Sequence, residues 1–129
     1  MLASAGLPCF QDARSVEQIV YIGFGHYIFV FNTETRELVG HEVDGYFGHM
    51  YDGGDFEHLP VQLSVIVTSA SEALAFSRQG KLVRVWPNLG IDGVILKAVN
   101  GTQIEGEGEY DPPGGWRKFA IAMDCDEYA

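Results

Sequence analysis

The stretch "LSVIVTSASEALAFSRQGKLVRVW", residues 63–86, decides the fold of this chain. It opens with an apolar run rich in β-branched residues, and two further apolar segments follow after a short break and a tight turn. Short apolar runs bounded by turn residues are typical of β-strands. The segment "SASEALAF", residues 69–76, could also form one helical turn. The repeat described next favours a strand there, so the stretch predicts three strands in a meander.

The same layout occurs earlier in the chain, in "EQIVYIGFG" and "HYIFVFNTETRELVGHEV", residues 17–43. Tyr21 aligns with Ile66, and Phe29 aligns with Leu74, both at a spacing of 45 residues. A repeat of this length is the size of one four-stranded propeller blade. Two unrelated meanders would also align through apolar alternation alone, so the pattern leaves both a duplication and a coincidence open.

The chain is predicted to be a single all-β domain spanning residues 1–129. It would hold two blade-like units, then a hairpin at Asn100-Gly101 and a last strand from Trp116. Two units cannot close a propeller. We therefore predict an open propeller-like stack, a sandwich or an incomplete barrel, with edges that need protection or a partner. Residues 1–14 are predicted to be a loose arm or short helix, and residues 124–129 an acidic tail.

The segment between the two units, "DGYFGHMYDGGDFEHLP" at residues 44–60, is rich in glycine and aromatic residues. It is predicted to be a loop. Aromatic side chains in such a loop either form a binding surface or fold back as a lid over the core. The aromatic residues concerned are Tyr46, Phe47, Tyr51 and Phe56.

The strand "TQIEGEGEY" places Glu105, Glu107 and Glu109 on one face by its period of two. Three like charges on one face should lie in water or meet cations. Gly106 and Gly108, on the other face, allow a bulge or a close backbone approach, and an aromatic side chain would cover them. The following "DPPGGW" is predicted to be a rigid corner, because proline cannot donate to the sheet.

The charge balance narrows the class of partner. With 18 acidic and 8 basic residues the net charge is −10, which disfavours nucleic acid and anionic membranes as partners. It is compatible with a basic protein partner, and also with simple solubility. No apolar run reaches ~18 residues, and the start lacks a basic n-region. Cys9 and Cys125 would pair only if the termini meet, and two reduced thiols fit the cytoplasmic location that we predict.

A search for catalytic and metal-binding patterns gives little. His26, His41, His49 and His58 lack zinc-ligand spacing, and "YDGGDFEH" does not fit a calcium loop. Nucleophile and phosphate-loop motifs are absent from the sequence. We therefore predict no metal, no cofactor and no catalytic residue. The remaining enzymatic alternative is a hydrolase that uses the glutamates of residues 105–109 near a tryptophan.

Residues 90–116, "GIDGVILKAVNGTQIEGEGEYDPPGGW", resemble a tail pattern of small bacterial β-rich, propeller-like proteins of mostly unassigned function. The resemblance implies a bacterial, cytoplasmic, non-enzymatic protein and carries no catalytic residues. Small acidic bacterial domains of this size are frequently immunity proteins, which neutralise a cognate toxin by binding it. That link is an analogy of size, charge and fold class.

The sequence therefore predicts a binding protein that neutralises a basic toxin, with a nuclease as one option for the toxin. The alternative is a β-module that self-associates into a homo-oligomer. The predicted partner-binding residues are Glu105, Glu107, Glu109, Asp111, Asp52, Asp55, Glu57, Tyr46, Phe47, Tyr51 and Phe56.

Overall fold

The computed structural model describes residues 11–56, 59–100, 102–110 and 115–123, and within these ranges the chain forms eleven antiparallel strands. Sheet 1 contains β1 (Gln11–Val16), β2 (Ile19–Phe24), β3 (Tyr27–Asn32) and β4 (Leu38–Glu42). Sheet 2 contains β5 (Phe47–Tyr51), β6 (Leu63–Ser69), β7 (Ala73–Ser77) and β8 (Leu82–Trp86). Sheet 3 contains β9 (Val94–Asn100), β10 (Gln103–Glu109) and β11 (Trp116–Ala122), with β10 in the middle. The described part of the chain holds no helix long and apolar enough to cross a membrane.

The all-β prediction is confirmed, and the sheets form an open arrangement. Sheets 1 and 2 have the same strand order, in which each strand pairs with the next along the chain. Their registers also correspond. Tyr21 pairs with Val30 in sheet 1, and Ile66 pairs with Ala75 in sheet 2, each 45 residues further on. The sequence repeat is therefore also a repeat of strand pairing.

Sheet 2 lies between the other two sheets. One buried cluster joins sheets 1 and 2 and includes Tyr21, Val67 and Phe76; a second joins sheets 2 and 3 and includes Ile66 and Ile104. We call these the first and the second core. Because side chains alternate along a strand, neighbours on β6 enter different cores. Every residue of β6 is buried as a result, and the fold is a three-layer open stack.

Two boundaries differ from the prediction. Residues 11–14 belong to β1, so an arm over residues 1–14 is wrong for its last four residues. Residues 47–51 form β5 inside the segment predicted to be a loop. Both strands lie at sheet edges and lack clean apolar alternation, and β5 also carries an irregular register at Phe47. Residues 1–10 and 124–129, with both cysteines and the predicted tail, lie outside the described residues.

The predictions for β10 are confirmed. A register shift occurs between Glu105 and Gly106 in the pairing of β10 with β9. A Cβ atom at Gly106 would lie 2.6 Å from the Phe119 ring, so an aromatic side chain covers this glycine. A Cβ atom at Gly108 would lie 1.7 Å from the carbonyl oxygen of Leu89. The two glycines therefore let a ring and a loop pack directly on the β10 backbone.

Candidate functional site

One end of the stack gathers acidic residues from separate connections. The connections 43–46, 70–72 and 87–93 meet the end of β10 there, and the three connections contain no lysine or arginine. We call the carboxylates at this end the acidic rim. The members of the acidic rim are Asp44, Glu72, Asp92 and Glu109.

Backbone hydrogen bonds hold these connections together in series. The N–H of Ala70 donates to the carbonyl of Tyr46 at 3.1 Å, and the N–H of Gly93 donates to the carbonyl of Ala70 at 2.8 Å. The N–H of Glu109 in turn donates to the carbonyl of Gly93 at 2.9 Å. Since every step is a main-chain bond, the backbone of these connections is held in place without the help of flexible side chains.

Polar contacts also fix two of the carboxylates. The Asp44 N–H donates to Oε1 of Glu72 at 2.9 Å, and the Ser71 hydroxyl donates to Oδ2 of Asp44. The turn between β6 and β7 is thereby tied to the connection between β4 and β5. Asp44 and Glu72 consequently lie side by side on loops from different sequence regions.

Tyr46 joins two of the connections that carry the acidic rim, 43–46 and 87–93. Its hydroxyl donates to the backbone oxygen and to Oδ1 of Asp92, both at 2.8 Å. Burial, this bond to Asp92 and the negative charges of Asp92 and Glu109 raise the pKa of Tyr46 to about 12. The hydroxyl therefore remains a protonated donor at neutral pH.

A cleft of about 320 Å³ opens beside Tyr46 and is also lined by Asp92, Glu109, Trp116 and His49. Trp116 is 42% exposed, and its ring lies 3.3 Å from the position of a Cβ atom at Gly93. Burial lowers the pKa of His49 although the charge of Asp12 opposes the shift. The lowered pKa favours the neutral imidazole, and the charged groups that line the cleft are the carboxylates of Asp92 and Glu109.

The three glutamates of β10 lie on the solvent side of sheet 3. Glu105, Glu107 and Glu109 pair with Ala120, Lys118 and Trp116 of β11 respectively. Lys118 is thus the cross-strand neighbour of Glu107. Glu109 belongs both to this row and to the acidic rim, so the two acidic regions are continuous.

Asp52 and Asp55 lie elsewhere, after the other end of β5. The Arg14 guanidinium contacts Oδ2 of Asp55 at 2.5 Å, Oδ2 of Asp52 at 3.3 Å and Oδ2 of Asp12 at 3.1 Å. This single cation joins one carboxylate of β1 to two of the β5–β6 connection, at the far end of β5 from Tyr46, so Asp52 and Asp55 do not extend the acidic rim. The other two predicted carboxylates, Glu57 and Asp111, lie outside the described residues.

The predicted aromatic residues divide between surface and core. Phe47 is 1% exposed and belongs to the first core. Tyr51 and Phe56 stack on each other at 5.4 Å and pack against the second core, as the lid alternative requires. Tyr46 alone of the four lines the acidic cleft. Sequence reasoning missed Asp44, Glu72 and Asp92, because only the packing of three sheets brings them together.

The pairing of Asp55 with Arg14 predicts an acid-sensitive contribution to stability. Partial burial favours the neutral acid, but the Asp52 N–H and the Arg14 guanidinium outweigh it and hold the pKa of Asp55 below its ordinary value. A lowered pKa stabilises the fold above the unfolded-state value of about 3.9, and this contribution disappears as pH falls through the folded-state pKa. We expect Asp55→Asn to lower the free energy of unfolding at pH 7 by up to about 1 kcal/mol, since the pair is partly exposed.

Urea unfolding at pH 7 and at pH 3 measures this effect. The difference between Asp55→Asn and the unmodified chain should shrink at pH 3. Glu34→Gln, in the exposed turn between β3 and β4, is the control and should leave the free energy of unfolding unchanged at both pH values. An Asp55→Asn difference of the same size at both pH values would contradict the assignment.

Among the described residues, no group of three His, Cys, Asp or Glu side chains is placed to hold a metal ion. Comparison with protein-family models, curated proteins and solved structures gives no match for this chain. The acidic rim and its cleft are therefore the features of this chain that point to a function.

Proposed function

We propose that this chain is a non-catalytic binding protein that neutralises a basic toxin in the bacterial cytoplasm. The observation that carries the proposal is the acidic rim itself. Carboxylates from four separate segments lie together on a hydrogen-bonded frame, and the three connections that form it contain no cation. An arrangement of one sign of charge speeds encounter with a surface of opposite sign and selects against other partners.

The cleft supplies aromatic side chains, which a protein interface needs in addition to complementary charge. Aromatic residues dominate interface energies when they become buried in a partner. Trp116 is a large ring that is already partly exposed, and Tyr46 lies beside it in the same cleft. The backbone frame means that binding would order few side chains, which lowers the entropic cost.

The glutamate row of β10 extends the proposed surface along sheet 3. If the toxin is a nuclease, the carboxylates of Glu105 and Glu109 would occupy positions that nucleic-acid phosphates otherwise take. Such mimicry follows from charge alone, because nuclease surfaces bind phosphates through lysine and arginine. We place Phe47, Tyr51, Phe56, Asp52 and Asp55 outside this surface because they pack in the cores or pair with Arg14.

Charge reversal with a charge-matched control tests the proposal. The partner is captured from the native bacterium at low salt, purified and identified, and its association is measured at low and high salt. Asp92→Lys combined with Glu109→Lys should slow association at least tenfold and weaken its salt dependence. The control is Glu34→Lys combined with Glu37→Lys, which makes the same change in net charge on the exposed β3–β4 turn. Its association rate should stay within about threefold of that of the unmodified chain.

Circular dichroism and thermal unfolding verify that both variants are folded, which matters because Asp92 accepts the Tyr46 hydroxyl. Equal effects of the two double variants would show that net charge, and not the acidic rim, governs association. The absence of a stoichiometric basic partner at either salt concentration would overturn the proposed function.

A further inference from the structure

The solvent-facing side of sheet 1 is apolar. The residues of β2 and β3 that face the first core are Ile19, Tyr21, Ile28 and Val30, so their sequence neighbours point to the opposite side. The register continues this side onto β4. We call it the outer apolar face. Its members are Val20, Ile22, Phe24, Tyr27, Phe29, Phe31 and Leu38.

Several members of the outer apolar face are well exposed: Phe24 is 49%, Tyr27 43% and Leu38 63% exposed. Their rings are nevertheless ordered against one another. The ring centroid of Phe29 lies 5.7 Å from that of Phe24 and 5.6 Å from that of Tyr27. An aromatic cluster that is already packed loses little side-chain entropy when a partner covers it.

The repeat indicates what kind of surface this is. A shift of 45 residues places Ile22 on Val67 and Phe29 on Leu74, and both of these belong to the first core. In sheet 2, the face that carries Val67 and Leu74 packs against sheet 1. In sheet 1 the corresponding face carries similar apolar residues and no described sheet covers it. The outer apolar face therefore has the composition of a sheet-packing surface.

We propose that a second copy of this chain covers the outer apolar face in an isologous dimer, with the two copies of sheet 1 packed face to face. Glu42, at the margin beside Tyr27, is the sole charged residue on this side of the sheet 1 strands. A strongly charged partner finds no complement there, whereas an identical uncharged face does. This surface is separate from the acidic rim, so the dimer does not depend on the proposed function.

Head-to-tail stacking is disfavoured by the opposite end of the layers. The solvent side of sheet 3 carries the glutamates of β10, and stacking the outer apolar face onto them would bury carboxylates against apolar side chains. Burying unpaired charge is costly. The two-fold arrangement avoids this contact and closes after two copies, so it does not propagate into a filament.

The size of the face sets the expected affinity. Four strands spaced about 4.8 Å apart, with five or six residues each, give a face of roughly 20 Å by 20 Å. Covering it in both copies buries roughly 800 Å² in total, which is below the ~1,200 Å² of stable interfaces and belongs to the weak, transient class. We therefore expect a dissociation constant on the order of micromolar.

Sedimentation of the full chain from about 1 to 500 µM, without any partner protein, tests the dimer. Phe24→Glu should raise the dissociation constant at least tenfold, because it replaces a well-exposed ring of the outer apolar face with a charge. Val85→Glu is the control, since Val85 is also about 40% exposed but lies on β8 of sheet 2. It should leave the dissociation constant within about threefold.

Ile22→Glu, 39% exposed in the unmodified chain, provides a second variant should Phe24→Glu fail to fold. Concentration-dependent amide shifts should also be confined to residues 11–42. A monomer at every concentration would overturn the proposal. A dimer that resists both substitutions, or that shows its amide shifts in sheet 3, would overturn it as well.

Discussion

Replacing Gly108 with alanine is expected to lower the free energy of unfolding by about 3 kcal/mol or more. Gly108 lies on the central strand of sheet 3, where it pairs with Val94 and Arg117. A Cβ atom there would lie 1.7 Å from the carbonyl oxygen of Leu89 and 2.9 Å from Cα of Gly90. Both neighbours are backbone atoms that no rotamer change can move, so the effect falls at or beyond the upper end for overpacking substitutions.

The same substitution is expected to disturb the acidic rim. The loop that presses on Gly108 continues to Asp92, and it is held by a bond from the Leu89 N–H to the Ser71 carbonyl at 2.7 Å. Displacing Leu89 would weaken this bond and move Asp92, which accepts the hydrogen bond from the Tyr46 hydroxyl. We therefore expect Gly108→Ala to affect partner binding as well as stability, although residue 108 does not line the cleft.

Thermal and urea unfolding measure the effect, with a fall in melting temperature of roughly 10 °C expected. Gly53→Ala is the matched control, because a Cβ atom at Gly53 has no neighbour within 4 Å. Its free energy of unfolding should change by less than about 0.5 kcal/mol. A Gly108→Ala variant as stable as Gly53→Ala would show that the loop does not pack on β10 as described.

The strands with apolar periodicity could be predicted from the sequence, because alternation and turn residues act locally. The β3–β4 turn is an example, since Asn32 Oδ1 accepts the N–H groups of Glu34 and Thr35 at 2.9 and 3.1 Å. β1 could not be found in this way. Its sequence, "QDARSV", has no apolar alternation, and it is a strand because its main chain pairs with β2.

The acidic rim could not be predicted, for a different reason. Asp44, Glu72 and Asp92 are far apart in sequence, and each is an acidic residue of the kind commonly found in turns. They meet because the repeated meanders place equivalent connections at the same end of each layer. Only Glu109 was found beforehand, since its row of alternating glutamates is a local pattern. The strands of each sheet can thus be predicted from the sequence, whereas the acidic rim forms only when the sheets pack together.

Replacing Phe47 with alanine is the second change with a large expected effect, about 3–5 kcal/mol in the free energy of unfolding. The prediction decides between two roles, because the sequence placed Phe47 among the partner-binding residues. In the structure its ring lies on the backbone of Gly23, where a Cβ atom would be 2.3 Å from the ring carbon Cε1. The side chain is 1% exposed, so truncation would leave a cavity in the first core.

A double-mutant cycle makes this test specific. Gly23→Ala alone should destabilise the protein, since the new methyl group meets the Phe47 ring. In the Phe47→Ala background the same methyl group enters vacated space, so Gly23→Ala should become neutral or stabilising. Val61→Ala, at a residue 73% exposed, is the control and should change the free energy of unfolding by less than about 0.5 kcal/mol. A Phe47→Ala variant that keeps its stability would contradict the core position and support the partner-binding role predicted from the sequence.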